Sequence, residues 1–480
     1  MNRNRRRALL RLGALSAAAG LAGCDGLPDV DPEPDEGSPS SPGDPGYPSP
    51  ETTPETAVVL AERWGFEGTV DLVEAGADPT GETAIDGLLE EHLGPRDLVY
   101  LPEGRYHVSD TVLIDSVDRV GIVGDAATIV PSDGNTNQIL KLGGPSPVGA
   151  ALCRGIEFDY TADDTGGRPL LAKADDRVLI DSVRVRGEAD VDQDLVRLDV
   201  TDPEGTGVVR GLRLPDGAPG DTKVTGCQVG DENLGDLRFV DCWIHGFPDN
   251  GLYADPPRGR VEVLGGRFHN NGIAGVRVEV NDPAVVRGVH VRCDDSTDGG
   301  DNMRGIRLRA GDSVLVEQCL VELLDVTSSD GAVVFSSELA GGTVRDCHIR
   351  VDADGVNAVR LKRAADPKRR EGPFRCESLT IVGTAGGGAA IRGAYRSNCR
   401  FTDLCVHQSG PDRDGFTATG LRGRVSDSRI SITGEPFDLS RSSLARSDVS
   451  VDRLDGPSGG AAADPCVDSD YGSDIVPGGE

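Results

Sequence analysis

Short runs of alternating apolar and polar residues recur along the chain, and most of them end at glycine or asparagine. Residues 241–254, DCWIHGFPDNGLYA, show the unit: one run, a Pro-Asp-Asn-Gly turn and a second run. Alternation with a period of two predicts β-strands, and Gly and Asn at the breaks predict turns. The pattern therefore indicates short strands separated by tight turns.

One frame describes the repeated runs. Counted from Phe239, apolar or small residues stand at offsets 0, 3 and 5, which are Phe239, Cys242 and Ile244. Since side chains alternate along a strand, we expect offsets 3, 5 and 7 to point inward and offsets 4 and 6 outward, with a bend between offsets 0 and 3. The same frame fits runs that begin at Val178, Val263, Val316, Val344, Phe374, Phe401, Val425 and Leu444, with weaker copies at Gly211 and Gly288.

Successive copies lie roughly 19 to 32 residues apart, close to the repeat lengths of solenoid proteins. Most copies carry a second short run after the turn, and no helical pattern lies between them. A single coil cannot bury its own apolar face, so coils must stack and share a continuous core. The sequence therefore predicts an all-β fold, a single-stranded parallel β-helix.

The residues before the repeats resemble the N-terminal module of the pectate lyase-like superfamily. They read VDLVEAGADPTG at 70–81, TAIDGLL at 83–89 and LVYLPEGRY at 98–106. The resemblance implies a right-handed coil, here from residue 70 to 451, with a helix near 83–93 covering its open N-terminal end. The superfamily contains lyases, hydrolases, epimerases and non-catalytic stalks, so the resemblance implies a fold more than an activity.

The N-terminal residues have the pattern of a targeting signal. Three arginines, Arg5 to Arg7, lead into an apolar run that ends in Leu-Ala-Gly-Cys at Cys24. This resembles a twin-arginine export signal followed by a lipobox, which implies cleavage before Cys24 and lipidation of its thiol. The predicted organisation is a signal peptide at 1–23, a disordered acidic Pro-rich tether at 24–56, the β-helix domain at 57–455 and a flexible tail at 456–480.

Composition limits the classes of partner. The formal net charge is −31, from 80 acidic and 49 basic residues, and aromatic residues make up 4% of the chain. Such a surface is typical of adaptation to high salt, and the sequence has no basic patch of the kind that binds nucleic acid. We expect a monomer or a trimer at the outer face of the cell membrane, anchored by the lipid.

The frame also places the cysteines. Cys242, Cys319 and Cys347 occupy inward offset 3, where a buried thiol behaves as a small apolar group. Cys319 and Cys347 would be neighbours in adjacent coils, about 4.8 Å apart. That distance permits a disulfide, but parallel Cβ vectors favour two reduced thiols. Disulfide candidates outside the frame are Cys376, Cys399 and Cys405.

Offset 6 is the candidate functional position. It places His245, His269 and His290 on consecutive coils, facing outward, with Glu322 one coil later. The chain has only seven histidines, so three of them would lie in one column. Imidazole beside carboxylate suits acid–base chemistry at a sugar, so we predict catalytic roles for these four residues and for Asp249. A site for one metal ion on the three histidines is disfavoured by the strand spacing of about 4.8 Å. The predicted substrate-binding residues are Asn270, Asn271, Arg304 and Tyr253.

One acidic loop could hold a cation. Residues 293–302 read CDDSTDGGDN, and the carboxylates of Asp294, Asp295, Asp298 and Asp301 could bind Ca²⁺ through oxygen atoms. The spacing does not match an EF-hand, and in so acidic a chain the alternative is a solvated loop.

Two functions remain open from the sequence. The first is a lipid-anchored surface protein that binds or processes extracellular polysaccharide, in the manner of a lyase or a hydrolase. The second is a non-catalytic surface stalk or adhesion module, in which the histidine positions are ordinary solvent-facing residues.

Overall fold

The computed structural model describes residues 52–134, 138–189, 193–297 and 299–455, together with Cys466. Over these residues the chain forms an all-β parallel solenoid of about 13 turns, which confirms the predicted fold class. Its strands span residues 68–453, within a few residues of the predicted coil. None of the helices in this part of the chain is long and apolar enough to cross a membrane.

The solenoid is built almost entirely from strands. Helix α1 is Pro54–Trp64, helix α2 is Asp86–His92, and a single 3₁₀ turn spans Pro367–Arg369. Strands β1 to β34 are, in order, Gly68–Asp71, Asp97–Leu101, Gly104–Val108, Val112–Ile114, Arg119–Pro131, Gln138–Leu142, Val148–Asp159, Arg168–Asp181, Arg184–Arg186, Val196–Val200, Thr206–Arg210, Arg213–Leu214, Cys227–Val229, Asp236–Val240, Trp243–His245, Asn250–Ala254, Val261–Leu264, Arg267–His269, Ala274–Glu279, Ala284–Arg287, His290–Cys293, Arg304–Gly311, Val314–Glu317, Leu320–Leu323, Val333–Leu339, Gly342–Val351, Val359–Leu361, Phe374–Gly383, Ala389–Ala394, Cys399–Gln408, Asp414–Thr419, Arg422–Ile432, Phe437–Ser440 and Ser443–Arg453.

Parallel pairing between coils produces three lateral sheets. In the central coils, sheet one contains β14, β17, β20 and β23. Sheet two contains β15, β18, β21 and β24. Sheet three contains β13, β16, β19, β22, β25, β27 and β29, and it carries the second run of each repeat.

One left-handed residue, or two where Gly265 and Gly266 follow each other, separates sheet one from sheet two. Asp241 has φ 48°, and Gly265 and Gly288 both have φ 65° at the equivalent turns. Asp and Gly adopt this conformation more readily than most residues. The residue supplies the bend that the frame required between offsets 0 and 3, and it restores the inward direction of the next apolar side chain.

The core consists of stacked inward side chains. Ile244, Phe268 and Val291 are register partners in consecutive coils, and each is at most 1% exposed. Cys242 and Cys319 are buried in the same way. The inward direction predicted for offsets 3 and 5 is therefore confirmed in these coils.

The cysteines differ in part from the prediction. Cys319 and Cys347 are both free and buried, as favoured. Cys405 forms a disulfide with Cys466, whereas Cys376 and Cys399 are free and buried. The prediction was wrong for these two because they occupy inward register positions: Cys376 aligns with Val344, and Cys399 aligns with Phe374.

Both helices cover apolar side chains of the solenoid. Helix α2 lies inside the range predicted for the cap, and Leu89 is fully buried in the main core. Helix α1 was not predicted, and the tether boundary at residue 56 falls inside it. Trp64 and Leu60 of α1 pack on outward apolar residues of the first coils, including Leu152 and Leu179. The helix was missed because its first residues directly follow the Pro-rich acidic segment.

Candidate functional site

The predicted histidine column is partly correct. His245 and His269 are register partners on sheet two, but His269 then aligns with Arg292, while His290 aligns with Arg267. His290 is thus two residues out of the column, and its predicted register was wrong. A displacement of two residues keeps the side chain on the same face, so the apolar pattern could not reveal it.

The side chains on sheet two nevertheless form one connected group, which we call the histidine strip: His245, His269, His290, Arg292 and Glu322. The rings of His269 and His290 meet edge to face with centroids 4.8 Å apart. His290 Nε2 lies 2.9 Å from Glu322 Oε2, and Arg292 Nη1 donates to the same oxygen at 3.1 Å. Glu322 is therefore engaged by two donors of the strip, whereas Nδ1 of His245 bonds the backbone oxygen of Pro215 at 2.8 Å.

Burial controls the charge of the strip. It lowers the pKa of His269 to about 3, assisted by His290, His245 and Arg267, and Nε2 of His269 is buried without a hydrogen-bond partner. The hydrogen bond from His290 lowers the pKa of Glu322. His269 is consequently neutral at physiological pH, and its Nε2 is not accessible to a ligand.

The acidic loop beside the strip makes local contacts. Asp294 accepts hydrogen bonds from Arg292 Nε at 2.7 Å and from Asn270 Nδ2 at 3.0 Å. Asp295 accepts from the backbone and the hydroxyl of Thr297. Among the described residues no three His, Cys, Asp or Glu side chains converge on a possible metal position. Asp301 is exposed and Asp298 lies outside the described residues, so the calcium site stays a prediction.

Two predicted substrate-binding residues are buried instead. Asn271 is 0% exposed, and its side chain bonds the backbone of Phe247 and Ile244. Arg304 pairs with Asp330 at 2.9 Å and is 7% exposed. Each stabilises the corner between sheets two and three, which explains why a polar residue stands there.

Asp249 and Tyr253 lie apart from the histidines, beside the outer surface of sheet three. Tyr253 is the register partner of Arg277, whose guanidinium lies 3.8 Å from the centre of its ring. Burial raises the pKa of Asp249, while Thr225, Arg277 and Arg307 act in the opposite direction. Asp249 is thus a carboxyl group within the electrostatic reach of two arginines, at a separate place from the strip.

A line of register partners on sheet three contains four arginines. We call it the arginine column; it consists of Arg277, Arg307, Val334, Arg360 and Arg392, one from each successive coil. Sequence reasoning missed it, although the sequence repeats an arginine between apolar residues, as in Val-Arg-Val, Ile-Arg-Leu and Val-Arg-Leu. Period-two alternation assigns such an arginine to the outer face.

The arginines of the column differ in their partners. Arg277 pairs with Glu279 at 2.7 Å. Arg307, Arg360 and Arg392 have no hydrogen-bonded carboxylate within the described parts of the chain. Nε of Arg307 is buried and unbonded. Burial, followed by the charges of Arg304, Arg277 and Arg309, lowers the pKa of Arg307 to about 10.

This surface has groups suited to anionic ligands. A guanidinium offers planar donors that match a carboxylate or a sulfate, and the half-buried position of Arg307 strengthens its field relative to a fully solvated charge. Tyr253 adds an aromatic ring beside Arg277. The acidic groups of the nearby ion pairs, Glu279, Asp330 and Glu338, are already occupied by other arginines or by Lys362.

The corner between sheets two and three contains a cleft of different character. It has a volume of about 530 Å³ and lies between residues 324–329 and 352–356. Asp325, Asp352 and Asp354 line it together with hydroxyl groups. Its acidic lining would repel an anionic polymer, so it is not continuous in charge with the arginine column.

The sequence matches no known protein family and no curated protein. Solved structures with a similar fold include the surface adhesin PfbA of Streptococcus pneumoniae, 13% identical over 80% of this chain and 91% of that chain, with a TM-score of 0.40. The A-module of the mannuronan C-5 epimerase AlgE4 of Azotobacter vinelandii is 14% identical over 81% and 98%, with a TM-score of 0.43. A family 28 exopolygalacturonase of Yersinia enterocolitica is 10% identical over 81% and 79%, with a TM-score of 0.42. The likeness to these right-handed β-helix proteins concerns the fold alone.

Proposed function

We propose that the protein binds an extracellular acidic polysaccharide on sheet three, at Tyr253, Arg277 and Arg307, and that the lipid on Cys24 holds it at the outer face of the cell membrane. The observation that supports the proposal most directly is Arg307. Its guanidinium is half-buried among other arginines and has no bonded carboxylate within the described residues.

The arginines of sheet three differ in charge from the rest of the chain. A net charge of −31 repels polyanions over the whole surface, so binding requires a local cationic line. Clustered like charges are costly without a counter-charge. A carboxylate or sulfate on a glycan would supply that counter-charge at Arg307 and make charge-assisted hydrogen bonds.

The histidine strip is less suited to direct binding. Glu322 already accepts from His290 and Arg292, and Asp294 accepts from Arg292 and Asn270. A ligand would have to break these contacts before making its own. Arg307 needs no such exchange, which supports a binding surface one sheet away from the predicted strip.

Processing of the bound glycan is assigned to Asp249. Its carboxyl group accepts from Thr225 Oγ1 at 3.1 Å and from Asn250 Nδ2 at 2.9 Å, and its pKa is raised by burial. A carboxyl group with a raised pKa is able to give or take a proton nearer neutral pH. This role is separable from binding, because it depends on one residue.

The test compares Arg307→Gln with Arg400→Gln, an exposed arginine on sheet one, in binding to carboxylated, sulfated and neutral polysaccharides at about 0.1 M salt. Loss of one charged hydrogen bond corresponds to about tenfold weaker binding or more. We expect Arg307→Gln to show this loss for an acidic polymer and Arg400→Gln to bind normally. Equal binding by both variants would exclude Arg307 as the contact, and no binding by the unchanged protein would favour the stalk.

Catalysis is tested separately by release of new reducing ends. Asp249→Asn should abolish any release while leaving polymer binding intact. Release that persists in Asp249→Asn contradicts the role given to this residue, whereas binding without any release identifies a non-catalytic glycan binder.

A further inference from the structure

The arginine column contains a second pair of arginines beyond the site just described. Val334 separates Arg307 from Arg360, and Arg392 follows Arg360 in the next coil. The column thus has two arginine pairs, Arg277 with Arg307 and Arg360 with Arg392. After Arg392 it continues to Thr417 and Asp438, so the cationic line ends there.

The second pair has unused hydrogen-bond donors. Arg360 is half-buried and Arg392 is exposed, and neither has a bonded carboxylate in the described part of the chain. Asp330, whose charge reaches Arg360, is already bonded by Arg304 and Lys362. Burial and the charge of Arg392 lower the pKa of Arg360. The pair therefore lacks a counter-charge in the same way as Arg307.

The distance between the pairs follows from the register. Neighbouring parallel strands lie about 4.8 Å apart, so the centres of the two pairs, three strands apart, are separated by about 14 Å along the coil axis. Val334 between them is 0% exposed and has no charge to offer. This spacing suits a long ligand that lies parallel to the axis and has one anionic group at each arginine pair and none at Val334.

We infer that Arg360 and Arg392 form a second anion-binding contact for the same linear acidic glycan, about 14 Å from the first. This inference rests on the proposed function. A chain long enough to touch both pairs gains the second contact at a high effective concentration, because the first contact already holds it nearby. A short oligosaccharide can touch only one pair, so its affinity reports one contact.

The experiment measures affinity against chain length for the full protein and two double variants. The probes are uronate oligosaccharides from the disaccharide to the polymer, with a sulfated series run in parallel to distinguish carboxylate from sulfate recognition. We expect affinity to rise by at least about tenfold once the chain spans both pairs. In Arg360→Gln with Arg392→Gln this rise should vanish while binding of the shortest binding oligomer falls by twofold or less.

The control is Arg400→Gln with Arg424→Gln, two exposed register neighbours on sheet one. It should retain the full dependence on chain length. If the Arg360 and Arg392 variant keeps the same dependence as the unchanged protein, the second contact is overturned and the site at Arg307 stands. If the sheet one variant loses affinity instead, the arginine column is the wrong surface and both proposals fail.

Discussion

The imidazole rings of His269 and His290 meet edge to face at 4.8 Å, although the two residues are not register partners. His269 aligns with Arg292, so His290 reaches it diagonally across the ladder. Burial, with the charge of His290 as a smaller cause, lowers the pKa of His269, while His290 is bonded to Glu322. This arrangement predicts a specific dependence of stability on pH.

The lowered pKa of His269 should make the fold sensitive to mild acid. A histidine in the unfolded chain takes up a proton near pH 6.5, whereas folded His269 does so only near pH 3. Proton uptake by the unfolded chain therefore lowers the free energy of unfolding as the pH falls from about 6.5 toward 3. Between pH 7.5 and 5 this effect lowers the free energy of unfolding by about 2 kcal/mol. We expect His269→Gln to remove that part of the pH dependence, measured by denaturant unfolding at both pH values.

A difference in stability between His269→Gln and the unchanged protein that is the same at both pH values would contradict the neutral state.

Helix α1 should depend on one aromatic side chain. Trp64 is 7% exposed against sheet one, and the guanidinium of Arg177 lies 3.5 Å from its ring centre. Trp64→Ala should cost about 3 to 5 kcal/mol of packing free energy, and a helix this short does not persist without packing. We expect rapid hydrogen exchange confined to α1. Val59→Ala, on the exposed side of the helix, should change exchange very little.

Binding of acidic polysaccharide should weaken as salt is added, because the Debye length falls from about 10 Å at 0.1 M to about 3 Å at 1 M. The dependence should be shallower for Arg307→Gln, which has one fewer charge at the contact. Titration calorimetry at increasing salt measures both slopes. Identical slopes would mean that Arg307 does not contact the anionic groups.

The lipid anchor rests on residues outside the described part of the structure. Cys24→Ala should move the protein from the membrane fraction to the medium, while Arg6→Lys with Arg7→Lys should block export of the folded chain. Cell fractionation with an antibody to the solenoid measures both effects. Membrane association that persists in Cys24→Ala would exclude the lipid.

The solenoid could be predicted from sequence because its determinants are local. The apolar side chains of Ile244, Phe268 and Val291 each predict an inward position, and Asp241 and the glycines predict the bend. Register between coils is less local, since a slip of two residues preserves the inside and the outside. That ambiguity displaced His290. Cys376 and Cys399 were missed for another reason: each lies two residues from a frame residue, Phe374 or Phe401, at an inward position that the frame did not count.

The candidate site was harder to predict for a related reason. Asp249 and the histidines are close in sequence, but the corner between sheets two and three turns their side chains onto different surfaces. Arg277, Arg307, Arg360 and Arg392 are distant in sequence and meet only through strand pairing. Arg277 pairs with Glu279. The lack of a bonded carboxylate at Arg307, Arg360 and Arg392, which distinguishes Arg307 from the paired Arg304, is visible only in three dimensions.

The coil that carries Val334 gives the arginine column an adjustable geometry. Each coil contacts mainly the one before and the one after it, so a whole coil can in principle be lost or gained without disturbing distant ones. Loss of this coil would bring the two arginine pairs together into one uninterrupted row, and gain of another would separate them by a further strand spacing. The length of glycan that such a protein prefers could therefore change during evolution by duplication or deletion of coils, with every arginine retained.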